Sequence, residues 1–274
     1  MDYFKNQVAI VTGGASGLGL ALSEELAKRG AKVVPVDINQ EGAQKVASGI
    51  TDAGGEATYG YLDVTLYDNA ERIVKDVVNK YGRLDLMFNN AGTAILGETR
   101  DLDVHHWRNA IDVNLFGVIH SAIAAYSVME KQGGGQIVNI SSLAGLIPVP
   151  KEIPYCTSKW AIVGFSNSLR VEGVDLGIKV NLVCPGMMHT PIHESTSLVN
   201  VDKDRLTQPV PKKYYMTPTK AAKVILRGVE RNQSIIIFPF YARLIWWMYR
   251  LNPSVFHFVS RKMIRDFRKI RIVQ

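Results

Sequence analysis

Seven runs of strand length, rich in Val and Ile, recur along this chain at 7–11, 32–37, 57–64, 84–89, 136–141, 179–184 and 234–240. Several are apolar without alternation, as strands covered on both faces must be. Between them lie segments of helical period, among them 18–29, 69–81 and 158–176. Strand–helix alternation sustained over about 240 residues predicts an α/β fold, with one parallel sheet and helices on both sides. No linker, repeat or low-complexity stretch interrupts it. The expected organisation is one domain over 1–240 and a separate helical extension over 241–274.

Composition narrows the class. Of 274 residues, 47% are apolar and 21% charged, which excludes a disordered or collagen-like chain and supplies a sizeable core. The net charge of +7 lies wholly in 241–274, where eight Lys and Arg face one Asp, while 1–240 carries 24 of each sign. A neutral body gives no support to nucleic-acid binding. Two cysteines, Cys156 and Cys184, make no disulfide framework, so a reducing, cytoplasmic setting is expected. No secretory signal is visible. The apolar stretch between Arg231 and Arg250 is broken by Pro239 and Arg243, against a spanning helix.

The first strand runs into Thr12-Gly13-Gly14-Ala15-Ser16-Gly17-Leu18-Gly19 and then an amphipathic helix. Glycines let a backbone approach a pyrophosphate, and a helix N-terminus offers it free N–H groups. The second strand ends at Asp37, 18 residues beyond Gly19, where a carboxylate can accept hydrogen bonds from both adenosine ribose hydroxyls. It would repel a 2′-phosphate, and neither Ser16, Ile38 nor Asn39 adds a positive charge to hold one. The expected cofactor is therefore NAD in preference to NADP.

Six motifs in register carry a resemblance: TGGASGLG at 12–19, Asp63-Val64, Asn89-Asn90-Ala91-Gly92, Asn114, Asn139-Ile140-Ser141-Ser142 with Tyr155-x-x-x-Lys159, and Pro185-Gly186. Over about residues 5–240 the chain resembles the short-chain dehydrogenases/reductases. The resemblance implies a single-domain Rossmann fold with a seven-stranded parallel sheet, and a homodimer or homotetramer. It also implies that Asp63 and Val64 lie beside the adenine. Asn90 would line the adenosine-ribose side, with Gly92 in the same run, and Met188 and Thr190 would lie near the nicotinamide. Asn89 and Gly92 also have a structural reading, as ties between central strands.

On a helix Tyr155 and Lys159 share one face. A free phenol, with a pKa of about 10, is a poor base near neutrality. A neighbouring ammonium and a positive nicotinamide favour the phenolate. Tyr155 is thus the expected acid/base, with Lys159 beside it and also on the nicotinamide ribose. Ser142, 13 residues before Tyr155, matches the family's catalytic serine better than Ser141. The resemblance gives Asn114 a helix kink and a proton-relay water. No metal site is expected: His105-His106 and His189 with His193 lack nearby Cys or carboxylate ligands.

Specificity in such folds lies in loops past the carboxyl ends of the strands. Those loops read apolar at 143–150 and 186–192, and name Leu143, Ala144, Val149, Ile153 and Met187 as candidate substrate contacts. They favour a lipophilic secondary alcohol or ketone of steroid, retinoid or long-chain type. The same residues would also support a 3-oxoacyl thioester reductase, and a catalytically silent scaffold is the reading from another class. Residues 193–217 read as a lid. In the extension, 241–250 is apolar and aromatic almost all round. Asn252-Pro253 then starts a helix with Phe256, Val259, Met263, Phe267 and Ile270 on one stripe. Two readings stand: peripheral contact with a membrane, or packing on a partner subunit or over the pocket entrance.

Overall fold

The computed structural model describes residues 2–190, 196–206, 211 and 214–272. Its strands are β1 (Val8–Thr12), β2 (Lys32–Asp37), β3 (Glu56–Ala57), β4 (Gly60–Tyr61), β5 (Leu86–Asn89), β6 (Ile95–Leu96), β7 (Gly135–Ile140), β8 (Ile178–Pro185), β9 (Ser197–Leu198) and β10 (Ile235–Phe238). The helices are α1 (Gly17–Lys28), α2 (Gln40–Asp52), α3 (Tyr67–Tyr81), α4 (Val104–Ile111), α5 (Gly117–Lys131), α6 (Ile153–Glu172), α7 (Pro218–Glu230), α8 (Phe240–Leu251) and α9 (Pro253–Arg268).

The main sheet is parallel throughout, in the order β10-β8-β7-β5-β1-β2-β3, with β4 continuing the β3 position beside β2. Seven positions across the sheet match the sequence expectation. The third run forms two short pieces because it lies at the edge and pairs only with β2. Strand parity sorts the core. Ala9 and Val11 of β1 pack toward α1 and α7, whereas Val8 and Ile10 pack toward α3 and α5. Every β1 residue is buried, the reason its sequence shows no alternation.

Helix α6 starts five residues earlier than the 158–176 reading, at Ile153, because Pro154 suits a first helical turn. This places Tyr155 in the opening turn. Between α4 and α5 the backbone widens into one π turn, Asp112–Phe116, so the kink implied for Asn114 is present.

Residues 241–272 fold back onto the body. Phe267 is buried with Leu96 and Val201, and Ile264 and Ile270 pack against them. Arg268 Nε donates to Glu98 at 2.9 Å and Arg271 Nε to Asp101 at 2.7 Å. A side strip made by parallel β6 and β9 completes this arm. The Asn252 side chain accepts from Ser254 N at 3.1 Å, the cap read from the sequence. The stripe on α9 therefore faces its own chain.

Candidate active site

One cavity of about 1080 Å³ runs along the carboxyl ends of the strands, from the β1–α1 turn to the space beneath α8 and α9. Its first half is built by glycines. Gly13 and Gly17 hold φ of +64° and +53°, a region that favours residues without a Cβ. A Cβ on Gly19 would collide with the Gly13 carbonyl, so Gly19 closes the turn from behind and does not line the cavity. Ser16, the N-cap of α1, makes no capping side-chain bond, and no acidic residue lies in the first turn. The leading N–H groups of α1 are thus left for a ligand, and Ser16, Gly17 and Leu18 line the cavity.

The next elements shape the same half. Asp37 Oδ2 accepts from Ala15 N at 3.1 Å and Oδ1 from Asn39 N at 2.9 Å, which fixes the carboxylate at the rim. Asp63 and Val64 line the wall, and Asp63 holds its turn by accepting from Thr65 N at 2.9 Å. Asn90 donates to the Thr12 carbonyl at 2.9 Å, and Thr12 Oγ1 accepts from the Asn90 and Ala91 amides at 2.9 and 3.0 Å. Thr12, which the sequence reading passed over, therefore ties β1 to the β5 loop. Asn89 donates to Asn139 at 2.7 Å and Asn139 to Ser166 at 2.9 Å, so this pair joins β5, β7 and α6. Gly92, Pro185, Gly186, Met188 and Thr190 line the cavity farther along. A backbone cradle with no room for side chains, free amides and a rim carboxylate together fit a dinucleotide.

The reactive groups meet at the end of β7. Ser141 turns inward and its hydroxyl donates to the Lys159 carbonyl at 2.8 Å. Ser142 lines the cavity, and its hydroxyl accepts from Ala144 N at 3.1 Å and acts on the Tyr155 phenol. Lys159 Nζ donates to the Ile140 carbonyl at 3.0 Å and stands 5.5 Å from the Tyr155 ring centroid. Asn114 is fully buried. Its amide donates to the Thr93 carbonyl at 2.9 Å and to Ser158 Oγ at 3.2 Å, and its Oδ1 accepts from Thr93 N at 2.8 Å. That side chain is committed to holding the π turn against α6 and does not reach the cavity.

The electrostatics differ from the expectation that Lys159 would lower the phenol. Burial pushes Tyr155 up to about 12, and the Ser142 hydroxyl offsets only part of this. Burial pulls Lys159 down to about 8. Each group is disfavoured in its charged form, Lys159 in a buried position and Tyr155 in a partly buried one on the cavity wall.

On the substrate side Leu143, Ala144, Val149 and Met187 line the cavity as expected, but Ile153 does not. It opens α6 at 37% exposure, two residues from Tyr155 and so roughly 200° around the helix. Glu152 was missed, although it lines the cavity and adds to the rise of Tyr155. Its own carboxyl is raised by burial, with Lys151 acting the other way. The far wall adds Tyr241, Ile245, Met248 and Asn252 of the α8 segment, which the sequence reading did not name as site residues, and Phe256 and Met263 of α9, from the stripe for which packing over the pocket entrance was one reading. Spacing of three to four between these residues was the available signal. Tyr241 Oη accepts from Met187 N at 2.9 Å and so joins this wall to the loop after β8. Asp103 caps α4 by accepting from His106 N at 3.0 Å, the His106 ring accepts from Asp103 N at 3.2 Å, and among the described residues no cluster of His, Cys, Asp and Glu could hold a metal. His193 and much of the expected lid lie outside the described residues.

Residues 7–199 match the short chain dehydrogenase family. A cyclohexanol dehydrogenase of Acinetobacter sp. is 39% identical over 192 residues, 69% of this chain and 76% of its own length. A mouse 15-hydroxyprostaglandin dehydrogenase [NAD(+)] is 35% identical over 200 residues, 70% and 71% of the two chains. The crystal structure of a short chain dehydrogenase/reductase from Burkholderia phymatum in complex with NAD superposes with a TM-score of 0.82. It is 23% identical and covers 93% of this chain and 96% of its own, a likeness of fold.

Proposed function

The chain belongs to the short chain dehydrogenase family, and from that premise we propose an NAD-dependent oxidoreductase that interconverts a lipophilic secondary alcohol and its ketone. The observation that carries this reading is the cavity's composition. The Ser142–Tyr155–Lys159 cluster lies between the dinucleotide cradle and a wall of Leu96, Leu198, Ile245, Met248, Phe256 and Met263. Burying such a wall against alkyl or ring surface stabilises a complex by roughly 25 cal/mol per Å² of apolar area removed from water. Lys151, Glu152 and Lys203 also line the cavity, and Glu152, which acts on Tyr155, suits a substrate with a second hydroxyl or carbonyl.

A nicotinamide dinucleotide supplies the hydride acceptor in oxidation and the donor in reduction. Tyr155 holds the proton exchanged with the substrate oxygen. Ser142 donates a hydrogen bond to that oxygen as negative charge develops there. Lys159, about one helical turn from Tyr155 and with Nζ 5.5 Å from its ring centroid, favours the phenolate when the phenol has lost its proton. Asn114 positions α6, which carries both Tyr155 and Lys159, by its bond to Ser158. The raised phenol makes Tyr155 a ready acid in the neutral range, and a positive charge beside it is needed before it serves as a base.

Turnover of a series of secondary alcohols from short to long, followed by dinucleotide fluorescence, tests the substrate class. kcat/KM rising at least tenfold from four-carbon to ten-carbon alcohols is expected. Equal or better rates with short hydroxy acids would sink this reading. For the cofactor, the Asp37→Ala/Ile38→Arg double variant removes the repulsion and adds a cation at a position 64% exposed. The ratio of kcat/KM for NADP over NAD is expected to rise by about 10²-fold, from one charge repulsion removed and one attraction gained. Preference for NADP in the parent protein would refute the role of Asp37. We further propose that the chain acts as a homodimer or homotetramer in the cytoplasm. The exposed Phe116, Ile123 and Trp160 on the α5 and α6 side support a subunit contact.

A further inference from the structure

Helix α8 has four distinct faces. Tyr241, Ile245 and Met248 line the cavity. Ala242 and Trp246 pack inward. Arg243 and Arg250 make a third face. The fourth carries Phe240, Leu244, Trp247 and Leu251, at spacings of four, three and four, and turns to solvent with exposures of 80, 52, 52 and 80%. This apolar stripe lies roughly 100° from the cavity stripe, one residue around the helix. Helix α9 packs on α8, and its exposed face carries Phe258, 74% exposed, with Arg261, Lys262 and Arg265 at helical spacing.

The charges on these two helices are not all used within the chain. Arg268 and Arg271 pair with Glu98 and Asp101, and Lys269 pairs with Asp266. Arg243, Arg250, Arg261, Lys262 and Arg265 make no ion pair among the described residues. Arg250 instead stacks over the Trp246 and Trp247 rings, 5.2 and 5.7 Å from their centroids. Arg243 donates to the Ile237 carbonyl at 2.8 Å, and these five cations without an ion pair, beside an apolar aromatic stripe, form a surface that matches the headgroup boundary of an anionic bilayer. A twofold contact with a second copy would bring the same cations against each other. With 12 and 16 residues, α8 and α9 are too short to span the roughly 20 residues a bilayer needs, so they would lie on it.

The cavity reaches the surface at this same place. Met248 of α8 and Val259 of α9 both line the cavity, and each is 51% exposed. We propose that the outer face of α8 and α9 docks on an anionic lipid bilayer and that the cavity mouth between them takes its substrate from the bilayer boundary. Docking does not depend on the reaction, since it is measured without turnover.

The test is co-sedimentation of the full chain with vesicles of phosphatidylglycerol and phosphatidylcholine, against phosphatidylcholine alone, at 50 mM and 500 mM salt. The expected result is at least tenfold stronger binding to the anionic vesicles at low salt, falling by at least tenfold at high salt. Two variants separate the contributions: Arg261→Glu/Lys262→Glu/Arg265→Glu and Leu244→Ser/Trp247→Ser/Leu251→Ser. All six side chains are on the surface, so unfolding temperatures near that of the parent are expected. Each variant is expected to lose at least tenfold in vesicle binding while keeping its kcat on a detergent-free soluble alcohol. Three outcomes overturn the proposal: no sedimentation of the parent at low salt, variants that bind like the parent, and equal binding to both vesicle types. A parent that ignores vesicles but forms a dimer lost in the serine variant would assign the stripe to a second copy instead.

Discussion

Replacing Tyr155 with Phe is expected to lower kcat by about 10³-fold, within the range that a positioned acid or base contributes. The ring stays and only the phenolic oxygen is lost. The dinucleotide cradle of Gly13, Ser16, Gly17 and Asp37 is untouched, so dinucleotide affinity measured by fluorescence titration is expected to change less than threefold. The phenol is pushed up to about 12, so the parent's reduction rate should hold steady through the neutral range, where the proton is in place. Oxidation should gain with rising pH, because deprotonation is what it requires. Activity of Tyr155→Phe within tenfold of the parent would remove Tyr155 from the chemistry.

Replacing Lys159 with Met is expected to stabilise the cofactor-free protein while lowering turnover by at least 10²-fold. Burial holds the Lys159 ammonium at about 8, below the ordinary 10.5. Below pH 8 folded and unfolded chains both carry this proton, and the fold bears the full cost of a buried charge. Between pH 8 and 10.5 the unfolded chain still binds a proton that the folded chain has released, so the stability of the parent rises with pH. A shift of this size corresponds to about 3 kcal/mol at pH 7, and the bond to the Ile140 carbonyl lost in the variant offsets about 1 kcal/mol. The net gain of about 2 kcal/mol should shrink as the pH approaches 10. Urea unfolding at pH 7 and pH 9.5 measures it. A variant less stable than the parent at pH 7, or a difference that ignores pH, would contradict the buried-charge account.

The layered sheet was legible because strands buried on both faces cannot hide their composition, and the run from Val8 to Thr12 is apolar for that reason. The glycine turn was legible because close backbone approach excludes side chains. The family resemblance, through the 13-residue spacing to Tyr155, separated Ser142 from Ser141, and the two hydroxyls have different partners, the Ala144 amide and the Lys159 carbonyl. Ile153 went astray because the helix was read as starting at 158. Its true start makes Ile153 part of a helix whose opposite side holds Tyr155. The shifted protonation of Tyr155 and Lys159 was hidden because it comes from burial, which pair spacing does not report. The stripe on α9 was legible, but its partner was not. The ion pair from Arg268 reaches Glu98 across 170 positions of chain, and no local pattern announces a contact of that range.

The return of the chain end over the cavity divides labour along the polypeptide. In the proposed reaction, proton handling falls to Ser142, Tyr155 and Lys159, with Asn114 holding α6 in place, all within the middle portion of the chain. Much of the far cavity wall belongs to the last thirty-odd residues, anchored through Arg268 and Arg271. Drift in that terminal piece can remodel which molecules are accepted while the machinery for moving a proton stays fixed. Chimaeras that exchange residues beyond 240 between relatives would therefore inherit their reaction from one parent and their selectivity largely from the other.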